Sequence, residues 1–142
     1  MHVIQGNLDI AVEVLEPALA LCKSAEFPIF VSRVASSLGA AYASLGRVDE
    51  ALALLEEAVR EAMANNFMFG QSLALSNFGR VCHLAGRQDD ALTHAQNAIR
   101  ASRASGERGN EAWACCLLGI LSRMAALPHS GLNRLQTTMA QR

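Results

Sequence analysis

The sequence predicts an all-α protein built as a solenoid of antiparallel helix pairs. Three observations predict this fold: a 40-residue internal repeat, apolar residues at helical spacing, and a composition rich in small apolar side chains. Of the 142 residues, 51% are hydrophobic but only 5% are aromatic. Small side chains let helices approach closely, and alanine is the strongest helix former. A chain of this length buries a core without disulfides or metals.

The repeat is visible in three copies of one short motif. Gly6, Gly46 and Gly86 each stand three residues before an aspartate and five before an alanine, and successive copies lie 40 residues apart. Internal repeats of this length are typical of solenoids, in which each unit stacks on its neighbours.

A second set of glycines follows the same step inside the predicted helices: Gly39, Gly79 and Gly119. Glycine in a helix interior costs about 1 kcal/mol relative to alanine. A helix keeps such a residue where a neighbouring helix must come close. Two helices per repeat that cross at this glycine are the simplest explanation.

Helix boundaries follow from the apolar period and from residues that start or stop helices. After each Gly-x-x-Asp motif, apolar residues recur at i, i+3, i+4 and i+7, which defines one buried face. The aspartate suits an N-cap or first helical turn, and the glycine suits the turn before it. Pro28 suits a helix start, whereas Pro17 predicts a kink in the first helix or weaker order before it. Seven helices are predicted: 8–24, 29–45, 49–65, 69–85, 89–104, 109–125 and 130–140.

These residues resemble a tetratricopeptide repeat (TPR). In the best copy the matching positions are Ala35, Leu38, Gly39, Tyr42, Gly46, Ala51, Leu55 and Ala58. That family's usual repeat has about 34 residues. The longer repeat here is similar to the tails of bacterial multidomain signalling proteins that carry ATPase or adenylate-cyclase modules. The resemblance implies a right-handed superhelix and one domain over 1–142, with these approximate units: 6–27 (partial), 28–67, 68–107 and 108–142 (ending in a degenerate cap).

The resemblance also implies a function, namely non-catalytic and regulatory binding of a partner protein or peptide. In the family, the first helices of the repeats line the concave face. The residues that this places there are Arg33, Ser36, Ser76, Arg80, His83, Trp113, Cys116 and Arg123. Because arginine binds carboxylates through paired hydrogen bonds, we hypothesise an acidic or C-terminal peptide as the ligand. Two alternatives stay open: the arginines are ordinary solvated charges, and Trp113 is partial core rather than a binding anchor.

A different function is suggested by the first repeat, which lacks its leading helix. Terminal repeats of a solenoid need a cap over their apolar face. The alternative function is therefore structural homo-oligomerisation, in which a homodimer pairs through this incomplete N-terminal repeat.

Other classes of function are disfavoured by the composition and by missing motifs. A formal net charge of −1 argues against nucleic-acid binding. No motif for a phosphate loop, a dinucleotide or a nucleophile appears, and the histidines have no metal-ligand spacing, so no enzyme, cofactor or metal is predicted. No signal peptide or membrane span is seen, which predicts a cytoplasmic protein. The four cysteines form no C-x-x-C pair and are predicted to be free and mostly buried.

Overall fold

The structure, a computed structural model, describes residues 2–66 and 70–126 of the chain. Within those ranges every regular element is an α-helix, which confirms the predicted all-α solenoid. The helices are α1 (His2–Ser24), α2 (Pro28–Ser44), α3 (Val48–Ala64), α4 (Gln71–Leu84), α5 (Gln88–Ser105) and α6 (Arg108–Ala126). The seventh predicted helix, 130–140, lies outside the described residues.

The helices alternate between two layers. We call α2, α4 and α6 the A helices and α1, α3 and α5 the B helices. Two A helices pack on the B helices that follow them, α2 on α3 and α4 on α5, and neighbouring A helices contact each other directly. The A helices therefore form one continuous layer, and this layer carries most of the predicted site residues.

The first helix differs from its prediction at its N-terminal end. It begins at His2 rather than near residue 8, so Gly6 lies inside a helix and not in a turn, and Asp9 lies in mid-helix. One glycine costs a helix only about 1 kcal/mol, which neighbouring helix-compatible residues offset. The helix also continues through Pro17 to Ser24 without interruption.

The other two motif glycines occupy the predicted turns. Gly46 and Gly86 have φ values of 81° and 78°, in the left-handed region that favours glycine. Around Gly46 the amide of Arg47 donates to the Tyr42 carbonyl at 2.9 Å and that of Gly46 donates to Ala43 at 3.1 Å. This pair of bonds is the Schellman motif, which satisfies the last carbonyls of an A helix.

The predicted close crossing at the helix-interior glycines is confirmed in two repeats. A Cβ atom built on Gly39 would lie 2.7 Å from Leu55 Cγ, and one on Gly79 would lie 3.1 Å from the Ala91 carbonyl oxygen. Both contacts join an A helix to its own B helix. At Gly119, by contrast, nothing lies within 4 Å among the described residues.

The cysteines depart from the prediction that most are buried. Cys82 is buried and Cys22 is half-buried, but Cys115 and Cys116 are exposed on α6. Their positions in the repeat equal those of Leu75 and Ser76, which α4 buries among its neighbours. All four thiols are free, as expected.

Candidate functional site

The candidate site is the solvent-facing side of the A-helix layer, which we call the A-helix face. Its side chains follow one stripe along each helix, at positions related by the 40-residue step. The face consists of Arg33, Ala40 and Ser44 on α2, of Leu73, Arg80 and Leu84 on α4, and of Trp113 and Ile120 on α6. Trp113 is 41% exposed and Leu84 and Ile120 slightly more than half exposed, so the face is apolar as well as basic.

Two side-chain contacts join α2 to α4 at the edge of this face. The Asn77 amide nitrogen donates to the Ser36 hydroxyl at 3.0 Å, and the Arg80 Nη2 atom donates to the Ala40 carbonyl at 3.5 Å. Asn77 is buried, so its bond to Ser36 is shielded from water and helps to fix how the two helices sit together.

The predicted site residues Ser36 and Ser76 need a correction. Both are buried between helices rather than on the surface, and Ser36 is occupied by its bond to Asn77. The Ser76 hydroxyl has no hydrogen-bond partner among the described residues. Small side chains at these positions allow the A helices to pack closely, which explains why serine stands there.

Arg33 and Arg80 supply the positive charge of the A-helix face. Arg33 is exposed, and its Cγ atom would lie 3.6 Å from a Cβ atom placed on Gly70 at the start of α4. Arg80 is half-buried, and its Nε atom is buried without a partner. In the described part of the chain, no carboxylate lies within 4.0 Å of either guanidinium. Both charges therefore remain available to an anion.

The other predicted residues point in more than one direction. His83 is half-buried, and its Nδ1 atom lies 2.7 Å from the Gln88 side-chain oxygen. Cys116 and Arg123 are exposed on α6, at the repeat positions of Ser76 and His83 on α4. Those two residues lie on the same side of α4 as Ser72. Because Ser72 bonds to Glu107, next to the start of α6, this side of α4 faces the following repeat. Of the eight predicted residues, Arg33, Arg80 and Trp113 share the A-helix face most directly.

A carboxylate that the sequence reasoning missed fixes the start of α4. Glu107 accepts hydrogen bonds from the Gly70 amide at 3.4 Å and from the Ser72 hydroxyl at 3.1 Å. It also accepts from Ser105 at 2.8 Å and from Asn110. Burial alone would raise the pKa of this carboxyl, but the hydrogen bonds outweigh it and lower the pKa below the ordinary value. No local sequence signal marks the contacts of Glu107 with the start of α4, because Gly70 and Ser72 stand 37 and 35 residues away.

Outside the A-helix face, a cleft between α1 and α3 holds polar groups that satisfy one another. It has a volume of about 480 Å³. The Tyr42 hydroxyl donates to Glu16 at 2.5 Å, and Lys23 pairs with Glu57 at 2.7 Å. The pKa of the Tyr42 hydroxyl is raised mainly by burial and to a smaller extent by the bond to Glu16. Such pairing stabilises the helix packing and leaves no side chain poised as a nucleophile or base.

Within the described ranges, His, Cys, Asp and Glu side chains form no group of three or more that could hold a metal ion. The helices described here also include none that is long and apolar enough to cross a membrane.

The fold and the A-helix face together define a helical-repeat solenoid. Comparison with known families agrees, since residues 31–61 and 72–97 each match a family profile described as tetratricopeptide repeat. The first match covers most of α2 and α3, and the second covers α4 and half of α5. These two helix pairs are similar to tetratricopeptide repeats, and the two matches support a tetratricopeptide-repeat protein. No curated protein matches the chain. Tetratricopeptide repeats generally mediate protein–protein interaction and are non-catalytic modules.

Proposed function

We propose that this protein is a regulatory interaction module whose A-helix face binds an acidic segment of a partner protein. The supporting observation is the pair Arg33 and Arg80, which no described carboxylate neutralises, set beside exposed apolar side chains on α4 and α6. The role is non-catalytic, as in the bacterial signalling tails that the repeat resembles, and the setting is cytoplasmic.

Arg80 is the centre of this proposal because of its surroundings. Its guanidinium is half-buried, its Nη2 atom donates to the Ala40 carbonyl at 3.5 Å, and no described carboxylate neutralises its charge. A carboxylate that meets this guanidinium gains charge-assisted hydrogen bonds at a partly shielded position. Leu84 lies one turn further along the same stripe and offers an apolar contact to the neighbouring residue of the ligand.

Trp113 and Ile120 extend the surface onto α6. Both are exposed although they are large and apolar, and aromatic side chains with arginines are enriched at binding hot spots. A ligand that crosses the three A helices would therefore present acidic residues near α2 and α4 and an apolar residue near α6. An extended peptide with mixed acidic and apolar character fits this order.

The test uses a peptide with alternating Glu and Leu residues and a free C-terminus, titrated against the full chain while amide NMR shifts are recorded. We expect the shifted amides to lie on α2, α4 and α6, and added salt to weaken binding. Arg80→Gln should weaken binding by at least roughly tenfold, since a hydrogen bond to a charged group contributes about 1.5–3 kcal/mol.

Two controls make the result specific. Arg60→Gln removes an exposed arginine from the B helix α3 and should leave the affinity unchanged. A peptide with Gln in place of every Glu should bind much more weakly. Shifts confined to the B helices, or equal affinities for Arg80→Gln and Arg60→Gln, would refute the proposed function.

A further inference from the structure

We infer that the protein assembles head to tail, with α6 of one copy packed on α1 of the next to complete a helix pair. The surface involved is distinct from the A-helix face, so this inference does not depend on peptide binding. It is carried by two exposed surfaces whose positions in the repeat are those that pair an A helix with a B helix elsewhere in the chain.

The first open surface is a stripe on α1. Ile10, Val14 and Leu21 are 58%, 62% and 68% exposed, and their spacing places them on one side of the helix. In α5 the positions equivalent to Val14 and Leu21 are His94 and Ala101, which are half-buried. Two of the three positions of the stripe are thus partly covered in α5, while Asp90, at the position equivalent to Ile10, is exposed.

The covering element in α5 is its own A helix. The His94 ring stacks on Phe78 of α4, with ring centroids 4.2 Å apart. Two 40-residue steps towards the N-terminus lead from His94 to Val14, and one step towards the C-terminus leads from Phe78 to Leu118. In the assembly, Val14 of one copy therefore contacts Leu118 of the preceding copy, as His94 contacts Phe78 within one chain.

The second open surface is on α6, at the glycine where A helices meet B helices. Gly39 lies against Leu55, but Gly119 is exposed and has nothing within 4 Å among the described residues. The residue that corresponds to Leu55 is Leu15 on α1. A second copy that docks its α1 here supplies the contact that Gly119 lacks, and it continues the interface already formed by α2 with α3 and by α4 with α5.

Charge at the end of this interface is also complementary. Arg123 on α6 is exposed, and no described carboxylate lies within 4.0 Å of it. Its equivalent His83 contacts Gln88, the first residue of α5. The residue equivalent to Gln88 is Leu8 on α1, and Asp9 follows it with an exposed carboxylate. Arg123 of one copy thus comes beside Asp9 of the next.

Such an interface joins two different surfaces, so it is heterologous. Repetition of a heterologous contact gives a ring or an open filament rather than a closed dimer. The average mass in solution should therefore rise with concentration beyond two chains of 15.2 kDa each.

The test is light scattering on the full chain and two variants. Gly119→Leu fills the space that the second copy needs, and Val14→Glu places a charge on the α1 stripe. Since Val14 is 62% exposed and Gly119 has no described neighbour within 4 Å, both variants should keep their helical circular dichroism and remain monomeric. Gly109→Leu, at another open glycine on α6, and Leu84→Glu, on the A-helix face, are the matched controls and should assemble like the wild type.

Mixing the two variants gives the decisive result. Each retains one intact surface, so an equimolar mixture should form a heterodimer of about twice the single-chain mass and nothing larger. The inference would be overturned by a wild type that stays monomeric from low to high micromolar concentration, or by a mixture that stays monomeric. It would also be overturned if Val14→Glu blocked assembly but Gly119→Leu did not, which would indicate an α1-to-α1 dimer. A Gly119→Leu monomer with reduced helicity is the fourth result that would overturn it. The last result would mean that the chain's own residues 127–142 cover α6.

Discussion

The substitution Gly39→Ala tests the helix crossing on which the solenoid depends. A Cβ atom at this position would lie 2.7 Å from Leu55 Cγ, and Leu55 is completely buried, so its side chain or α3 itself must move. Overpacking of this kind costs about 1–3 kcal/mol, whereas removal of a helical glycine gains about 1 kcal/mol. The net expectation is a loss of about 1 kcal/mol in the free energy of unfolding.

The steric cost can be isolated with Gly119→Ala, which has the same helix-propensity gain without a described neighbour within 4 Å. Urea unfolding followed by circular dichroism at low protein concentration should show Gly119→Ala to be more stable than Gly39→Ala by about 1–3 kcal/mol, the overpacking term alone. In a Leu55→Ala background, Gly39→Ala should become neutral or stabilising because the clashing atom is gone. Equal stabilities of the two glycine variants would refute the assigned crossing.

Three further predictions concern titratable groups. Glu107→Gln should destabilise the fold by about 1 kcal/mol, as loss of a helix cap does. The lowered pKa of Glu107 gives stability that is present above the ordinary carboxyl pKa of 4.5 and is lost as the pH falls through the folded value. The stability of the variant to urea should therefore depend less on acid pH than that of the wild type. Burial lowers the pKa of His94, so the unfolded chain binds a proton at a higher pH than the folded chain does. The free energy of unfolding should therefore fall as the pH drops below the ordinary pKa of 6.5. His94→Gln should remove this pH dependence, whereas the wild type should keep it. A thiol reagent should modify Cys115 and Cys116 at least roughly tenfold faster than Cys82, whose pKa is raised by burial, and equal rates for all three would contradict the described burial.

Much of the fold could be predicted because the repeat keeps the residues that pack. Ala51 and Ala91 occupy the same register and are both fully buried, as are Ala58 and Ala98 to within 1%. Such positions have one purpose in every repeat, so self-similarity in the sequence reports them directly. The start of α1 was predicted wrongly because Gly6 stands in the turn register of the repeat, yet the residues before it do not form a turn.

The site was harder to predict because its contacts join residues that are distant in sequence. Ser36 looks like a surface residue by helical position, but Asn77, 41 residues later, buries it and binds its hydroxyl. The sequence repeat does not indicate the contact between Asn77 and Ser36. The positions equivalent to Asn77 hold Ser37 and Leu117, which cannot make the same amide hydrogen bond. Contacts between repeats depend on which residue each repeat has substituted, and a periodic pattern does not report that.

This difference between kept and substituted positions also indicates where binding specificity resides. On the A-helix face one register holds Arg33, Leu73 and Trp113, and another holds Ala40, Arg80 and Ile120. These positions vary in charge and size while the buried alanines do not, although all are subject to the same helical geometry. Packing therefore does not determine the residue types on the face. Exchange of Arg33 and Leu73 should leave the stability nearly unchanged, because exposed and half-buried positions tolerate either side chain. The same exchange should move the acidic position that a bound peptide prefers from α2 to α4, which broadening of nearby amide signals by a spin-labelled peptide would detect.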